Sequence, residues 1–219
     1  MAKALPLGII NAPWSPNGEW EGEDAICIGG GPSLRGFDFS VLRGRNTIGC
    51  NDAFRLGADI VKVLAFGDNG WWHRNKFEIE EKFKGHMVTS APGLFRIQIR
   101  NCLRMVREKD GYHTGHSLGW NYSTGAMAIN FAGSLGAKRI FLLGYDLMQR
   151  QGRFHWHDHG RRKVEEASYT RFLQGFYKLK KNMPSDIRVI NVTDGSKLTA
   201  FEVMSFEDFH KELQEAVLA

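Results

Sequence analysis

The stretch Ala25-Ile26-Cys27-Ile28-Gly29-Gly30-Gly31-Pro32-Ser33-Leu34 sets the reading of this chain. Four consecutive apolar residues ending in glycines fit a buried parallel strand better than a half-exposed one, which would alternate. Three glycines allow close approach of the backbone to a ligand and present N–H groups to it. Pro32 suits the first turn of a helix, whose positive end favours an anion. The dinucleotide fingerprint GxGxxG would require glycine at 34, where leucine stands, so a standard NAD site is disfavoured.

Similar runs recur on either side. Thr47–Cys50, Ile60–Phe66, His86–Ser90, Arg139–Leu143 and Ile187–Val192 read as further strands. Asn69–Phe83, Thr124–Leu135 (stopped by Gly136), Glu165–Lys181 and Ser205–Leu218 (capped by Ser205) read as helices. Buried strands alternating with helices predict an α/β, Rossmann-like fold, a mostly parallel sheet with helices on both faces. Residues 1–23, with three prolines and two tryptophans, read as an irregular lead-in; 24–219 read as one domain carrying a His/Arg-rich loop at about 147–163. Residues 95–109 fit both periods: Arg96, Arg100, Arg104 and Arg107 share a helical face, while Phe95, Ile97 and Ile99 alternate as in a strand. Those arginines read as a solvated or partner-facing surface.

Composition sets the limits. Of 219 residues 42% are hydrophobic and 24% charged, values of an ordinary globular chain that exclude disordered, collagen-like and disulfide-framed classes. No apolar run approaches a membrane span. The N-terminus lacks the pattern of a signal peptide, so a cytoplasmic location is expected. Cys27, Cys50 and Cys102 show no framework spacing and read as buried, reduced thiols. Residues 150–181 hold nine basic and three acidic side chains, while the chain as a whole is only +5. That excess suits an anionic partner such as a nucleotide or nucleic acid, or a plain solvated helix face. Homo-oligomerisation stays open.

In an open parallel sheet ligands lie beyond the carboxyl ends of the strands. The polar residues following those ends are therefore the candidates: Gly29 to Ser33, Asn51 and Asp52, Asp68, Gly144, Tyr145 and Asp146, with Ser123, Thr124 and Gly125 opening a helix. Any one of them alone is commonly a turn or a cap; together they would line one pocket. Trp71-Trp72 can stack on a base or pack in the core. The loop Phe154-His155-Trp156-His157-Asp158-His159 reads either as a solvated His-rich loop or as an active-site loop whose imidazoles move protons near neutral pH, in which case His157 is favoured as general base and Arg153 and Arg161 as phosphate contacts. It is one residue short of the HxHxDH pattern of zinc hydrolases, and no metal site is expected.

Three blocks carry a resemblance: Ile28 to Leu34 with Asp38-Phe39-Ser40 and Cys50-Asn51; Ser123-Thr124-Gly125-Ala126-Met127; and Gly144-Tyr145-Asp146. In order and spacing they resemble bacterial CMP-sialic-acid-dependent sialyltransferases and the MptE-like 6-hydroxymethylpterin pyrophosphokinase families. The later part is similar to short phage and prophage proteins of that superfamily. The resemblance implies a nucleotide pocket lined by the glycine-rich turn (Gly29, Gly30, Gly31, Pro32 and Ser33), Asn51, Ser123, Thr124, Gly125 and the turn Gly144, Tyr145 and Asp146, with His155, His157 or His159 as the base; by their places after strand ends, Asp68 is a further nucleotide-binding candidate and Asp146 a catalytic one.

The leading expectation is a metal-independent glycosyltransferase that takes a CMP-sugar-like donor, requires no cofactor and transfers the sugar to an acceptor hydroxyl. Two alternatives stand beside it. One is Mg²⁺-dependent (pyro)phosphoryl transfer from ATP to a hydroxymethyl heterocycle, with Asp68 and Asp146 holding the ion. The other is a non-catalytic phage accessory protein that binds nucleotide or nucleic acid through 150–181.

Overall fold

A computed structural model describes residues 18–157 and 165–218. The expected core strands are all present: β1 (Asp24–Ile28), β2 (Thr47–Cys50), β3 (Val63–Phe66), β4 (His86–Thr89), β8 (Arg139–Leu143) and β9 (Arg188–Asn191). Shorter strands join them: β5 (Cys102–Arg104), β6 (Val106–Glu108), β7 (Ser117–Gly119) and β10 (Glu202–Val203). The helices are α1 (Asn69–Lys82), α2 (Thr124–Ser134), α3 (Glu166–Asn182) and α4 (Phe206–Leu218).

Eight strands form one sheet in the order β10-β9-β8-β1-β2-β3-β4-β5, every pair parallel. The chain starts at the centre, builds outward through β2 to β5, then returns to the far side of β1 with β8. The strand order therefore reverses between β1 and β8, and a crevice opens beyond their carboxyl ends. Register is direct, Ile26 beside Phe141 and Ile28 beside Leu143.

The strands are apolar on both sides because both faces are covered. Residues of alternate parity go to opposite faces. Cys27, Ile48, Cys50 and Ala65 pack against α2 and α3 through Met127, Phe131, Phe176 and Leu179. Ile28, Leu64, Phe66 and Phe141 pack against α1 and α4 through Trp71, Trp72, Ile79 and Phe209. Trp71 and Trp72 are thus core residues; Trp72 stacks on Phe66 at 5.1 Å.

Helix ends follow local chemistry. Asp68 Oδ1 accepts from Trp71 N at 2.7 Å, and Ser123 Oγ from Gly125 N at 3.1 Å. Gly136, at φ +98°, ends α2 as expected, and Ser205 Oγ accepts from Asp208 N at 3.1 Å. The end of the lead-in is tied down: Trp20 is buried and its N–H donates to Leu135 O.

Residues 95–109 are neither a helix nor one strand. A turn over Pro92–Leu94 leads to β5, and β6 leaves the main sheet to pair with β7. Two buried asparagines close this excursion. Asn130 Oδ1 accepts from His113 N and Gly119 N, and Asn121 exchanges two hydrogen bonds with the Gly111 backbone.

Candidate active site

The crevice is floored by the glycine run and by the turn after β8. A Cβ on Gly29 would stand 2.6 Å from Gly144 O, and one on Gly31 would stand 1.9 Å from Asp146 Oδ2. The glycines are required, and the group they let in close is the chain itself. Their amides are largely spent: Gly29 N donates to Leu143 O, Gly31 N to Gly144 O, and Ser33 N to Asp146 Oδ1. Among the described residues only Gly30 N of the three glycine amides lacks an acceptor. Pro32 opens a single turn, Pro32–Leu34, too short to act as an anion-binding helix end. The expectation of a multi-amide phosphate cradle from Gly29 to Ser33 reduces to Gly30.

Asp146 is 1% exposed and accepts from Ser33 Oγ at 2.7 Å and from Arg150 Nε. These bonds fix the carboxylate against the Ser33 turn. Tyr145 is buried, with its hydroxyl donating to Gly125 O at 3.2 Å and lying 3.9 Å from Cys50 Sγ. Burial, with the neighbouring thiols Cys50 and Cys27, pushes the phenol well above its usual range, so Tyr145 is a strut between β8 and α2. Burial likewise pushes the Cys50 and Cys102 thiols up to about 12 and raises Cys27. All three thiols are chemically quiet.

Above the floor lies the histidine loop. Trp156 N donates to Gly30 O at 3.1 Å and Trp156 Nε1 to Gly29 O at 3.2 Å. Its indole packs 5.1 Å from the ring of Phe39, whose turn is capped by Asp38. That anchors His155 over Gly30: a Cβ there would be 3.2 Å from His155 Nδ1. The His155 and His157 rings lie parallel, 5.2 Å apart. The His157 side chain is only 5% exposed, and its Nε2 is 3.9 Å from Asp52 Oδ2. Asp52 also accepts from Trp71 Nε1 at 3.3 Å. His155 is therefore the imidazole placed at the crevice, while His157 faces inward onto a carboxylate. Asp52 directly follows Asn51 at the end of β2, and nothing in the local sequence marks it as a partner of His157. Arg153 is exposed, in a tight turn closed by its backbone bonds to Arg150. The expected roles of His159 and Arg161 fall outside the described residues.

The remaining candidates line the rim. Ser123, Thr124 and Gly125 put the start of α2 at the strand carboxyl ends, preceded by Asn121 and Tyr122 in left-handed backbone at φ +47° and +61°. Two such residues in succession store strain next to the helix start. Asn51 is also left-handed, at φ +50°, and its buried Oδ1 has no hydrogen-bond partner among the described residues. Asp68 stands at the end of β3. Three strand spacings separate it from Asp146 after β8, about 14 Å. The two carboxylates do not share one Mg²⁺ ion, whose ligands sit at about 2.1 Å. Among the described residues no group of three His, Cys, Asp or Glu side chains could hold a metal ion.

Two surface depressions lie away from the crevice. One, of about 280 Å³, is lined by Phe54, Arg55, Gly57, Glu78 and Lys82. The other, of about 310 Å³, lies at the opposite end of the sheet, by Trp20 and His86. Size is a poor guide here, because His155 and Trp156 lie over the glycine turn.

No family model and no curated protein matches the sequence. The fold is that of a solved sialyltransferase. The chain is similar to sialyltransferase CstII from Campylobacter jejuni in complex with the substrate analogue CMP-3FNeuAc. The TM-score is 0.51 at 15% identity, over 83% of this chain and 86% of that one. CstII in complex with cytidine-5'-monophosphate gives 0.52 at 15% identity, over 83% and 84%. At this identity the likeness establishes the architecture, a sialyltransferase-like α/β fold. No helix among the described residues is long and apolar enough to cross a membrane.

Proposed function

We propose that this chain is a nucleotide-sugar-dependent glycosyltransferase that works without a metal ion, on a CMP-sugar-like donor. The observation that carries the reading is the seating of His155 over Gly30, at the point where the strand order reverses and α2 begins. An open sheet binds nucleotides at that place. The CstII structures, described as complexes with CMP or a CMP-sugar analogue, support cytidine as the base.

In this reading the nucleotide phosphate lies between Gly30 N and the first amides of α2, next to the hydroxyls of Ser123 and Thr124, with Arg153 as an added cation. Asn51 contacts the nucleoside or sugar. His155 takes the proton from the acceptor hydroxyl as the acceptor oxygen bonds to the anomeric carbon and the bond from that carbon to the phosphate oxygen breaks. The electron pair leaves with the nucleotide monophosphate. Asp146 and Tyr145 hold the floor rigid. The single domain over 24–219, the cytoplasmic location and the kinship with phage proteins belong to the same proposal.

The test is CMP release from CMP-N-acetylneuraminate in EDTA, for the wild type, His155→Ala and His157→Ala. The reading expects release by the wild type and a fall of at least 100-fold in His155→Ala. His157→Ala should lose less. Release that needs Mg²⁺, or that survives His155→Ala, overturns it.

A further inference from the structure

The reaction above uses His155 and leaves the contact of His157 with Asp52 without a task. That contact is the inner end of a row of charges drawn from two elements. The turn Asn51–Leu56 after β2 is a 3₁₀ segment, with three residues per repeat, so Asp52 and Arg55 fall one above the other. On α1, Trp71 and Glu78 stand two turns apart along one face. The two elements meet through these four side chains. Asp52 Oδ2 accepts from Trp71 Nε1 at 3.3 Å, and Arg55 Nε lies 3.6 Å from Asp52 Oδ1. Arg55 Nη1 donates to Glu78 Oε1, and the guanidinium lies 4.6 Å over the buried ring of Phe54.

The balance of charge along the row decides what His157 meets. Arg55 is one cation between two carboxylates, Asp52 and Glu78. On the Glu78 side Lys82 supplies a second cation, at 3.2 Å. On the Asp52 side the next group is the His157 imidazole, with Nε2 3.9 Å from Asp52 Oδ2. That separation is too long for a hydrogen bond but close for two opposite charges, and both side chains are largely shielded from water. Asp52 cannot turn away without losing Trp71 and Arg55. The described ionisable groups that face His157 are Asp52, backed by Arg55 and Glu78, and His155, whose ring lies parallel at 5.2 Å. A ring fixed on Asp52 therefore bounds the position of the other.

We propose that Asp52, set by Trp71, Arg55 and Glu78, is the positioning residue of the histidine loop: its charge holds the protonated His157 ring and so keeps His155 over Gly30. Trp156 fixes the loop backbone on the glycine turn, and Asp52 fixes the side on which the imidazoles stand. The hold is present while His157 carries its proton and is lost as pH rises past its titration. The bearing on catalysis rests on the reading of His155 as the base; the contact itself does not.

The test starts on the substrate-free protein, with trypsin cleavage after Arg153 and histidine NMR as readouts. Asp52→Asn keeps an oxygen for Trp71 Nε1, so the turn should fold. His157→Gln changes only the loop. Each variant should be cut about fivefold faster than the wild type, and the double variant no faster than either, because both remove one contact. The His157 ring should titrate about 0.5 pH unit lower in Asp52→Asn than in the wild type. Arg55→Lys, which keeps the charge but not the bridge from Asp52 to Glu78, serves if Asp52→Asn does not fold; it too should be cut faster than the wild type. In CMP release, Asp52→Asn should lower kcat about tenfold and leave KM within about twofold. A raised KM with kcat kept would make Asp52 a contact of the donor and overturn the proposal. So would cleavage of Asp52→Asn at the wild-type rate, effects that multiply in the double variant, or an unmoved His157 titration. A wild type that releases no CMP would remove the donor reading alone, and cleavage and titration would still decide the role of Asp52.

Discussion

Replacing Gly31 by alanine tests whether the glycine run serves the fold or a ligand. The new Cβ would stand 1.9 Å from Asp146 Oδ2 and 2.5 Å from Gly144 O, where a carbon needs about 3.4 Å. Neither neighbour can give way cheaply. Gly144 is at φ +70° and its carbonyl accepts from Gly31 N; the Asp146 carboxylate is held by Ser33 and Arg150. Overpacking alone costs about 1–3 kcal/mol. Displacing a buried carboxylate from its cation costs about 3–5 kcal/mol when the pair is fully broken. A loss of about 3–5 kcal/mol is expected, since the strain is relieved partly by loosening the pair. At about 2–4 °C per kcal/mol for a chain of this size, the melting point should drop by roughly 10 °C. Gly30→Ala is the control: its Cβ meets only His155 Nδ1, at 3.2 Å, at the end of a side chain that can shift. It should cost less than about 1 kcal/mol. Urea unfolding of the two variants decides the matter. Equal stabilities, or a Gly30→Ala the weaker of the two, would refute the packing account of Gly31.

The buried thiols make the protein alkali-sensitive. The Cys50 and Cys102 pKa values are about 12 when folded and near 8.5 when unfolded, so above that lower value the unfolded state binds fewer protons and stability falls with pH. Each thiol contributes a slope of up to about 1.4 kcal/mol per pH unit between those limits, full stability being kept below pH 8. A flat urea midpoint between pH 8 and 10 would contradict this, as would reaction of the native thiols with Ellman's reagent at pH 8. Trp156→Ala removes the Gly29 contact and the packing on Phe39, so trypsin should cut after Arg153 several times faster than in the wild type; an unchanged rate would show that the anchor lies elsewhere. Asn130→Ala leaves the amides of His113 and Gly119 unpaired at about 1–3 kcal/mol each. Its melting point should fall by at least 5 °C, and a smaller fall would show that water replaces the side chain.

The frame of the sheet was legible because it depends on local pattern. Continuous apolar runs marked six strands, and Ser123, Gly136 and Ser205 marked helix ends through chemistry within a few residues. Ile60 and Val61 look like the start of β3 but lie in the preceding turn, where Val61 N donates to Gly57 O. Residues 95–109 defied assignment because β5 and β6 have three residues each, too few to establish a period.

At the site, legibility stopped where contacts became non-local. The glycines signalled a close approach, but the group approached is Asp146, more than a hundred residues away. From the sequence His157 is the favoured base. Trp156, docked on Phe39 and the glycine turn, instead places His155 over the crevice and turns His157 toward Asp52. Arg107 was grouped with surface arginines, because only the tertiary fold brings Trp120 and the ends of β3 and β4 to it.

The central claim is that a cytidine nucleotide binds over Gly30 without a metal. Calorimetric titration of CMP in EDTA, into the wild type and into Gly30→Asp, tests it most directly. The account predicts one saturable site in the wild type and affinity lowered at least tenfold in Gly30→Asp, whose carboxylate would oppose the phosphate while the sheet stays intact. No binding by the wild type, or equal binding by both proteins, would contradict it.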